Sequence, residues 1–272
     1  MEVFEWGNKR IALIDLSDTL ENETRAFEPN AHEIRYIDHV EGMRLGAEVF
    51  KMTSDVLEKV FPRGHAWAVE LVTLSTHSGT HVDAPYHYGP LMADGRPART
   101  IDQVPLRWCF GDGVVLDMTH KKRGDGISAN DIEEALEKIG YTLKPYDIVL
   151  IRTDVYKRFK EPGYDLLHPG LTRDGVAFLV ERGVKLIGID AWGLDRPFDV
   201  MLKEALEGKY EFWQAHFYGL EQEYCQIEKL TNLDKIPRPY GFTVIAFPFK
   251  IKGASAGWAR VVALVELEED GS

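Results

Sequence analysis

The stretch Ser75-Thr-His77-Ser-Gly79-Thr-His81-Val-Asp83-Ala-Pro85-Tyr-His87 places three imidazoles and one carboxylate at odd positions of a single short run. In an extended chain side chains alternate with period two, so His77, His81, Asp83 and His87 would all point the same way. Gly79 and Pro85 share that parity and put nothing bulky between them. A helix would pair His77 with His81 but turn Asp83 off their face, and Gly79 and Pro85 both oppose a helix interior. The run therefore reads as a strand passing into a loop, with its imidazoles and carboxylate aimed at one centre. Neutral imidazole and carboxylate are ligands for zinc, manganese or iron, and His-x-x-x-His-x-Asp offers three from one edge. The whole chain has only nine histidines, so three within eleven residues beside an aspartate single this run out as a metal site.

Working outward, Trp67–Leu74 alternates and is rich in apolar and β-branched residues, which predicts the strand that delivers this motif. Upstream, residues 11–16 form an apolar run fit for a buried strand. Residues 22–64 are the least regular part, with a helix expected over Ser54–Val60 and Ser54 as its N-cap. His32, His39 and His65 in this region read as surface or loop histidines, or as part of a lid over the site. Downstream, Gly and Pro mark 89–105 as a loop, and Gly113–Met118 is a further apolar strand. His120 sits among Lys121, Lys122 and Arg123, a neighbourhood that repels a cation, so it is left out of the site.

Ser128-Ala-Asn-Asp131 before Ile132, Ala135, Leu136 and Ile139, with Gly140 at the stop, predicts the clearest helix. Asp147–Arg152 and Val184–Asp190 read as buried strands, separated by a helix that opens at Thr172 and ends at Gly183. Strand–helix–strand units of this kind favour parallel pairing with a right-handed crossover. Phe242–Ile251 and Ala259–Leu267 read as an antiparallel hairpin with a long loop. With no repeat, low-complexity tract or linker, residues 1–272 are taken as one α/β domain with a mixed sheet and two or three flanking helices.

Composition narrows the class of function. The 272 residues suffice for a substantial core, and 44% hydrophobic with 28% charged content is ordinary for a globular protein. A net charge of −12 disfavours nucleic acid and anionic membrane as partners. Cys109 and Cys225, the only two cysteines, lie far apart and form neither a disulfide framework nor a Cys-x-x-Cys site. The N-terminal residues carry no basic-then-apolar signal, and no apolar run reaches bilayer length, so a cytoplasmic setting is expected.

The run His77-Ser-Gly-Thr-His81-Val-Asp83-Ala-Pro-Tyr-His87 resembles the His-x-Gly-Thr-His-x-Asp-x-Pro-x-His signature of the metal-dependent cyclase family, which includes bacterial kynurenine formamidase and isatin hydrolase. The resemblance implies a swivelling β/β/α fold, homodimers or larger assemblies such as tetramers, and a second set of ligands. In dizinc members a histidine after an alanine is followed twelve residues later by a glutamate, a spacing that His216 and Glu228 match. By composition alone Glu221 and Glu223 compete with Glu228. The same resemblance implies that Asp83 bridges two metals, that His77 and His81 complete the first and His216 the second, and that Glu228 touches both. Some relatives hold a single manganese, so one ion or two, with zinc first and manganese second, both stay open. The resemblance further assigns His87 as proton donor and acceptor, a role that suits an imidazole with an ordinary pKa near 6.5; a third ligand or a partner of the ligands is the alternative. The family's kynurenine formamidases are shorter than this chain, and residues 22–64 account for much of the difference.

The activity expected is hydrolysis of an amide, formamide, lactam or lactone of a small, aromatic substrate by metal-activated water, assisted by His87. No Gly-x-Ser-x-Gly elbow is present. Trp213 and Phe217, flanking His216, are the best candidates to line the pocket among Trp108, Trp192, Phe198, Phe212, Tyr218 and Trp258. The stretch around Gly219–Cys225 and Tyr88 departs from the formamidase pattern, so the substrate is left at the level of bond class. Two other readings compete: a non-haem iron oxygenase with a His81/Asp83/His216 facial triad, and a non-catalytic metal-binding protein.

Overall fold

The computed structural model describes residues 1–27, 31–61 and 63–267. The chain forms two compact units, one of residues 1–20 with 76–272 and the other of residues 21–75.

The larger unit is built on a ten-stranded mixed sheet, counted among the described residues. Its order is Glu2–Trp6, Lys9–Asp15, Val262–Leu267, Tyr240–Ile245, Phe110–Asp117, Ile148–Arg152, Leu186–Ile189, Cys225–Glu228, His81–Asp83 and Ala256–Trp258. The middle of the sheet is parallel, Phe110–Asp117, Leu186–Ile189 and Cys225–Glu228 all running with Ile148–Arg152. The strands around that parallel block pair antiparallel. In Ile148–Arg152 the period-two pattern is apolar on both faces. Ile148 and Leu150 join one core cluster, and Val149 and Ile151 join the other.

The second of these clusters is roofed by three helices, through Ile132 and Leu136 of Ala129–Ile139, Val176 and Leu179 of Arg173–Glu181, and Ala215 and Tyr218 of Gln214–Glu221. The first contains Ala12 and Ile14 from one side of the sheet order and Val82 and Ile227 from the other. The sheet therefore curls until distant strands share a core, and a bridge between Ser17 and Leu230 closes the curl. Among the described residues no helix is long and apolar enough to cross a membrane.

The α/β class and the parallel pairing are as expected. Ser128 caps its helix with a reciprocal Asp131 box, and Gly140 ends it in the left-handed conformation. The C-terminal hairpin is also present, as Tyr240–Ile245 against Val262–Leu267. Its long loop is not idle, because residues 256–258 form the sheet's outermost strand beside His81–Asp83. Cys109 and Cys225 are both buried free thiols.

Two expectations are corrected in the smaller unit. The Trp67–Leu74 run contains a strand, Val69–Thr73, but it pairs only with Glu33–Ile37 in a two-stranded sheet and does not run on into the metal motif. The helix Ser54–Val60 forms as predicted, yet its capping position is Thr53, with no side-chain capping bond. Nothing local distinguishes a strand that feeds the main sheet from one that closes a local ribbon; both satisfy the same alternation. Residues 28–30 and 62 of the irregular segment lie outside the described residues.

Around Trp67 this unit has its own small core. The helix His39–Phe50 starts at Asp38, whose carboxylate accepts from the Val40 and Glu41 amides. The Trp67 indole meets Phe50 and Phe61 edge-on at 5.9 and 6.2 Å. Gly42 lets the helix approach so closely that a Cβ there would lie 1.9 Å from the Trp67 carbonyl oxygen. Because that obstacle is backbone, Gly42→Ala is expected to destabilise the unit by about 3 kcal/mol, at the upper end of overpacking costs. Limited proteolysis within residues 21–75 should accelerate, and unchanged resistance would contradict this account.

Candidate metal centre

The motif reaches its shared centre by a different route from a continuous strand. Only His81–Asp83 is extended. Gly79 adopts a left-handed backbone, φ +62°, and folds the preceding segment back, which glycine does without a Cβ penalty. His77 returns to within 3.3 Å of His81, ring nitrogen to ring nitrogen. After Asp83, residues Pro85–Tyr88 form one helical turn, with Pro85 in its first positions where the missing N–H costs nothing. Its His87 ring lies 4.1 Å from that of His77. The parity argument holds for His81 and Asp83; a turn and a helical turn bring in the other two.

Strand register supplies the distant carboxylate. His81 pairs directly with Glu228, and Asp83 with Gln226. Residues opposite one another in an antiparallel pair project to the same face, so Glu228 Oε2 comes within 3.6 Å of His81 Nε2. Asp83 Oδ1 lies 2.9 Å from His77 Nδ1 and 3.2 Å from His81 Nε2. Two sets of donor atoms gather within 4.8 Å of one another: His77, Asp83 and His87, and His81, Asp83 and Glu228. Asp83 belongs to both. Glu221 and Glu223 are engaged elsewhere, Glu221 with Arg173 and Glu223 with Arg96 and Arg99.

Asp83 is fully buried, yet neither of its oxygens accepts a hydrogen bond. His77 Nδ1 faces Oδ1 as an ion-pair contact at 2.9 Å, and no other group donates to either oxygen. Buried carboxylates are normally paired or bound to a metal. This donor set fits a divalent cation.

His216 stands beside these groups. Its Nδ1 is 2.5 Å from an Asp195 oxygen, which fixes the ring and leaves Nε2 as its other nitrogen. Its ring is 5.3 Å from that of His87 and is stacked on Trp213 at 4.0 Å and 13°. Trp213 itself holds a strained left-handed conformation, φ +55°. Phe217 meets Trp213 edge-on at 5.9 Å. Trp192, Phe198 and Phe212 continue the aromatic chain, Phe198 touching Trp192, Phe212 and Trp213. His120 is exposed on a separate cleft with Lys138, Arg152 and Arg238, away from the centre.

Sequence reasoning missed Asp195, Ser255, whose hydroxyl is 3.0 Å from His77 Nε2, and Lys229, whose ammonium donates to the His77 carbonyl. None lies at a ligand-like spacing; each arrives through sheet pairing or a loop.

Electrostatics divide the groups. Burial pushes the Asp83 carboxyl up, but the imidazoles of His87, His81 and His77 outweigh it and hold it well below the usual range. Glu228 is raised by burial and then by the charge of Asp83. Burial lowers His77 and His216, yet Asp83 and Asp195 respectively reverse the sign and raise them. His87 goes the other way, lowered to about 3 by burial and then by the neighbouring imidazoles of His216, His77 and His81, against the opposing pull of Asp83. Of His77, His87 and His216, only His87 is pushed towards the neutral form.

A family model described as "Putative cyclase" matches residues 14–196. Among curated proteins, the chain is 26% identical over 207 residues to a kynurenine formamidase of Bacillus cereus, covering 75% of this chain and 85% of the relative. It is 29% identical over 194 residues to one from Maricaulis maris, covering 71% and 79%. Among solved structures, an isatin hydrolase bound to the product analogue thioisatinate superposes with a TM-score of 0.73 at 23% identity, over 94% of this chain and 93% of that one. Isatin hydrolase A from Ralstonia solanacearum gives 0.72 at 24%, over 94% and 92%. These likenesses show a shared fold.

Proposed function

Because the chain belongs to the putative cyclase family, we propose that it is a divalent-metal-dependent hydrolase that opens a C–N bond in a small amide, formamide or lactam, or the C–O bond of a lactone. The observation that carries this reading is Asp83, a buried carboxylate without a donor at the meeting point of two clusters of ligand atoms. The names of the relatives, a formamidase and a hydrolase, support the same class of reaction.

His77, His81, Asp83, Glu228 and His216 would hold the metal, zinc or manganese, as one ion or two. A bound divalent ion supplies Lewis acidity, polarising a carbonyl oxygen and lowering the pKa of water from 15.7 to about 7. The chain's own residues do the rest. His81 Nδ1 bonds to the Gly79 carbonyl, which turns Nε2 towards Asp83 and Glu228. Asp195 orients His216 in the same manner. His87, neutral near pH 7, takes a proton from the attacking water as the new C–O bond forms. It then returns that proton to the leaving nitrogen or oxygen as the old bond breaks. Trp213, edge-on to His87 at 5.3 Å, forms one wall, and the aromatic chain beyond it suits a planar substrate.

The test is metal content by mass spectrometry on wild type and His81→Ala purified identically without chelator, followed by turnover of formanilides, lactams and lactones. Stoichiometric zinc or manganese in wild type alone, with oxygen-independent hydrolysis, is expected. Iron with oxygen uptake would favour the facial-triad oxygenase. No metal in wild type, even after adding zinc or manganese, would sink the proposal.

A further inference from the structure

Lys229 follows Glu228 directly, yet it is only 3% exposed. Its backbone is in the left-handed region, φ +58°, a conformation that costs a non-glycine residue energy. A buried ammonium adds a desolvation penalty. Two costs at one position call for a gain, and the contacts show where it lies.

The Lys229 ammonium donates to the His77 carbonyl at 2.9 Å, while the Lys229 carbonyl accepts from the Thr80 hydroxyl at 2.6 Å. Its amide donates to the Ala191 carbonyl, which ties it to the loop carrying Trp192, and its ammonium lies 5.4 Å from the Trp192 ring. One residue thus grips both ends of the tight turn 77–80, whose Gly79 lets His77 fold back on His81. It also brings a positive charge beside the buried Glu228 carboxylate.

We infer that Lys229 is a positioning residue, clamping the His77–Thr80 turn so that His77 and His81 are held at ligand spacing before a metal arrives. The inference rests on the metal-hydrolase reading and adds to it a residue outside the ligand set. A methionine of similar length would fill the space without charge or donor. Removing the charge relieves a buried ion, so the metal-free fold gains while the centre loses.

The experiment titrates zinc into metal-free wild type, Lys229→Met and Lys229→Arg against a chromophoric chelator, with thermal melts of each metal-free protein. Lys229→Met is expected to bind zinc about 10–100-fold more weakly, the range found for groups that orient ligands. Its metal-free melting temperature should equal or exceed that of wild type. Lys229→Arg, which keeps a charged donor, should stay within a few-fold of wild-type affinity. Zinc binding by Lys229→Met as tight as wild type, or an arginine variant as weak as the methionine one, overturns the inference. So does a methionine variant that melts lower or unfolds, because Lys229 would then serve folding alone. Wild type that binds no zinc sinks the metal reading itself, a separate failure.

Discussion

Asp83→Asn is expected to lower metal affinity by more than about 100-fold, beyond the 10–100-fold typical of groups that only orient ligands. The reason is geometric. Asp83 is common to both clusters of donor atoms, and beyond the His77 contact no group donates to it. An amide keeps the shape, loses the charge and offers one acceptor instead of two. The metal-free variant should also melt lower than metal-free wild type at neutral pH, because the flanking imidazoles stabilise the ionised carboxylate in the fold and an amide forgoes that attraction. Calorimetric titration with zinc and manganese, with a melt of each apo protein, checks both parts. Undiminished affinity would mean that Asp83 is not a ligand.

His87→Gln is the second large effect. Metal content should stay near wild type while kcat falls about 10²–10⁴-fold, the usual worth of a positioned acid–base group. Loss of metal along with activity would make His87 a ligand, the role its place in the His77–Asp83 cluster also permits. With its pKa lowered to about 3, His87 remains an acceptor throughout the acid range. The acid limb of the pH–rate profile should therefore keep its position in the variant while the plateau drops.

Stability gives an independent reading of the same group. Between pH 6.5 and about 3 an unfolded histidine takes up a proton that buried His87 refuses, so wild type loses stability as pH falls through that window. His77 and His216, whose pKa values are raised, act with the opposite sign and above pH 6.5. Depressed Asp83 acts only below the usual carboxylate range. The difference between apo wild type and apo His87→Gln should thus open between pH 6.5 and 3, with His87→Gln losing less stability on acidification.

How much was legible in the sequence depends on whether the information was local. The helix Ala129–Ile139 was written out in full by its Ser128 cap, Asp131, apolar spacing and Gly140. Four of the gathered site residues were legible because they sit within eleven positions and because imidazole and carboxylate have few shared uses. Glu228 was found by a spacing borrowed from a family; only the His81–Glu228 register shows why it reaches the site. Asp195 and Lys229 carry no signal of their own, since their work is on partners brought close by strands and loops. The Val69–Thr73 strand misled for the complementary reason: alternation announces a strand but not its neighbour.

The three-residue strand His81–Asp83 is sandwiched between Cys225–Glu228 and Ala256–Trp258. A chain emerging from the ribosome presents its His-x-x-x-His-x-Asp ligands early, while both flanking strands come from its last fifth. Long-range pairings of this kind close slowly. The donor set His81, Asp83 and Glu228 is therefore complete only once the last fifth of the chain has been made and paired.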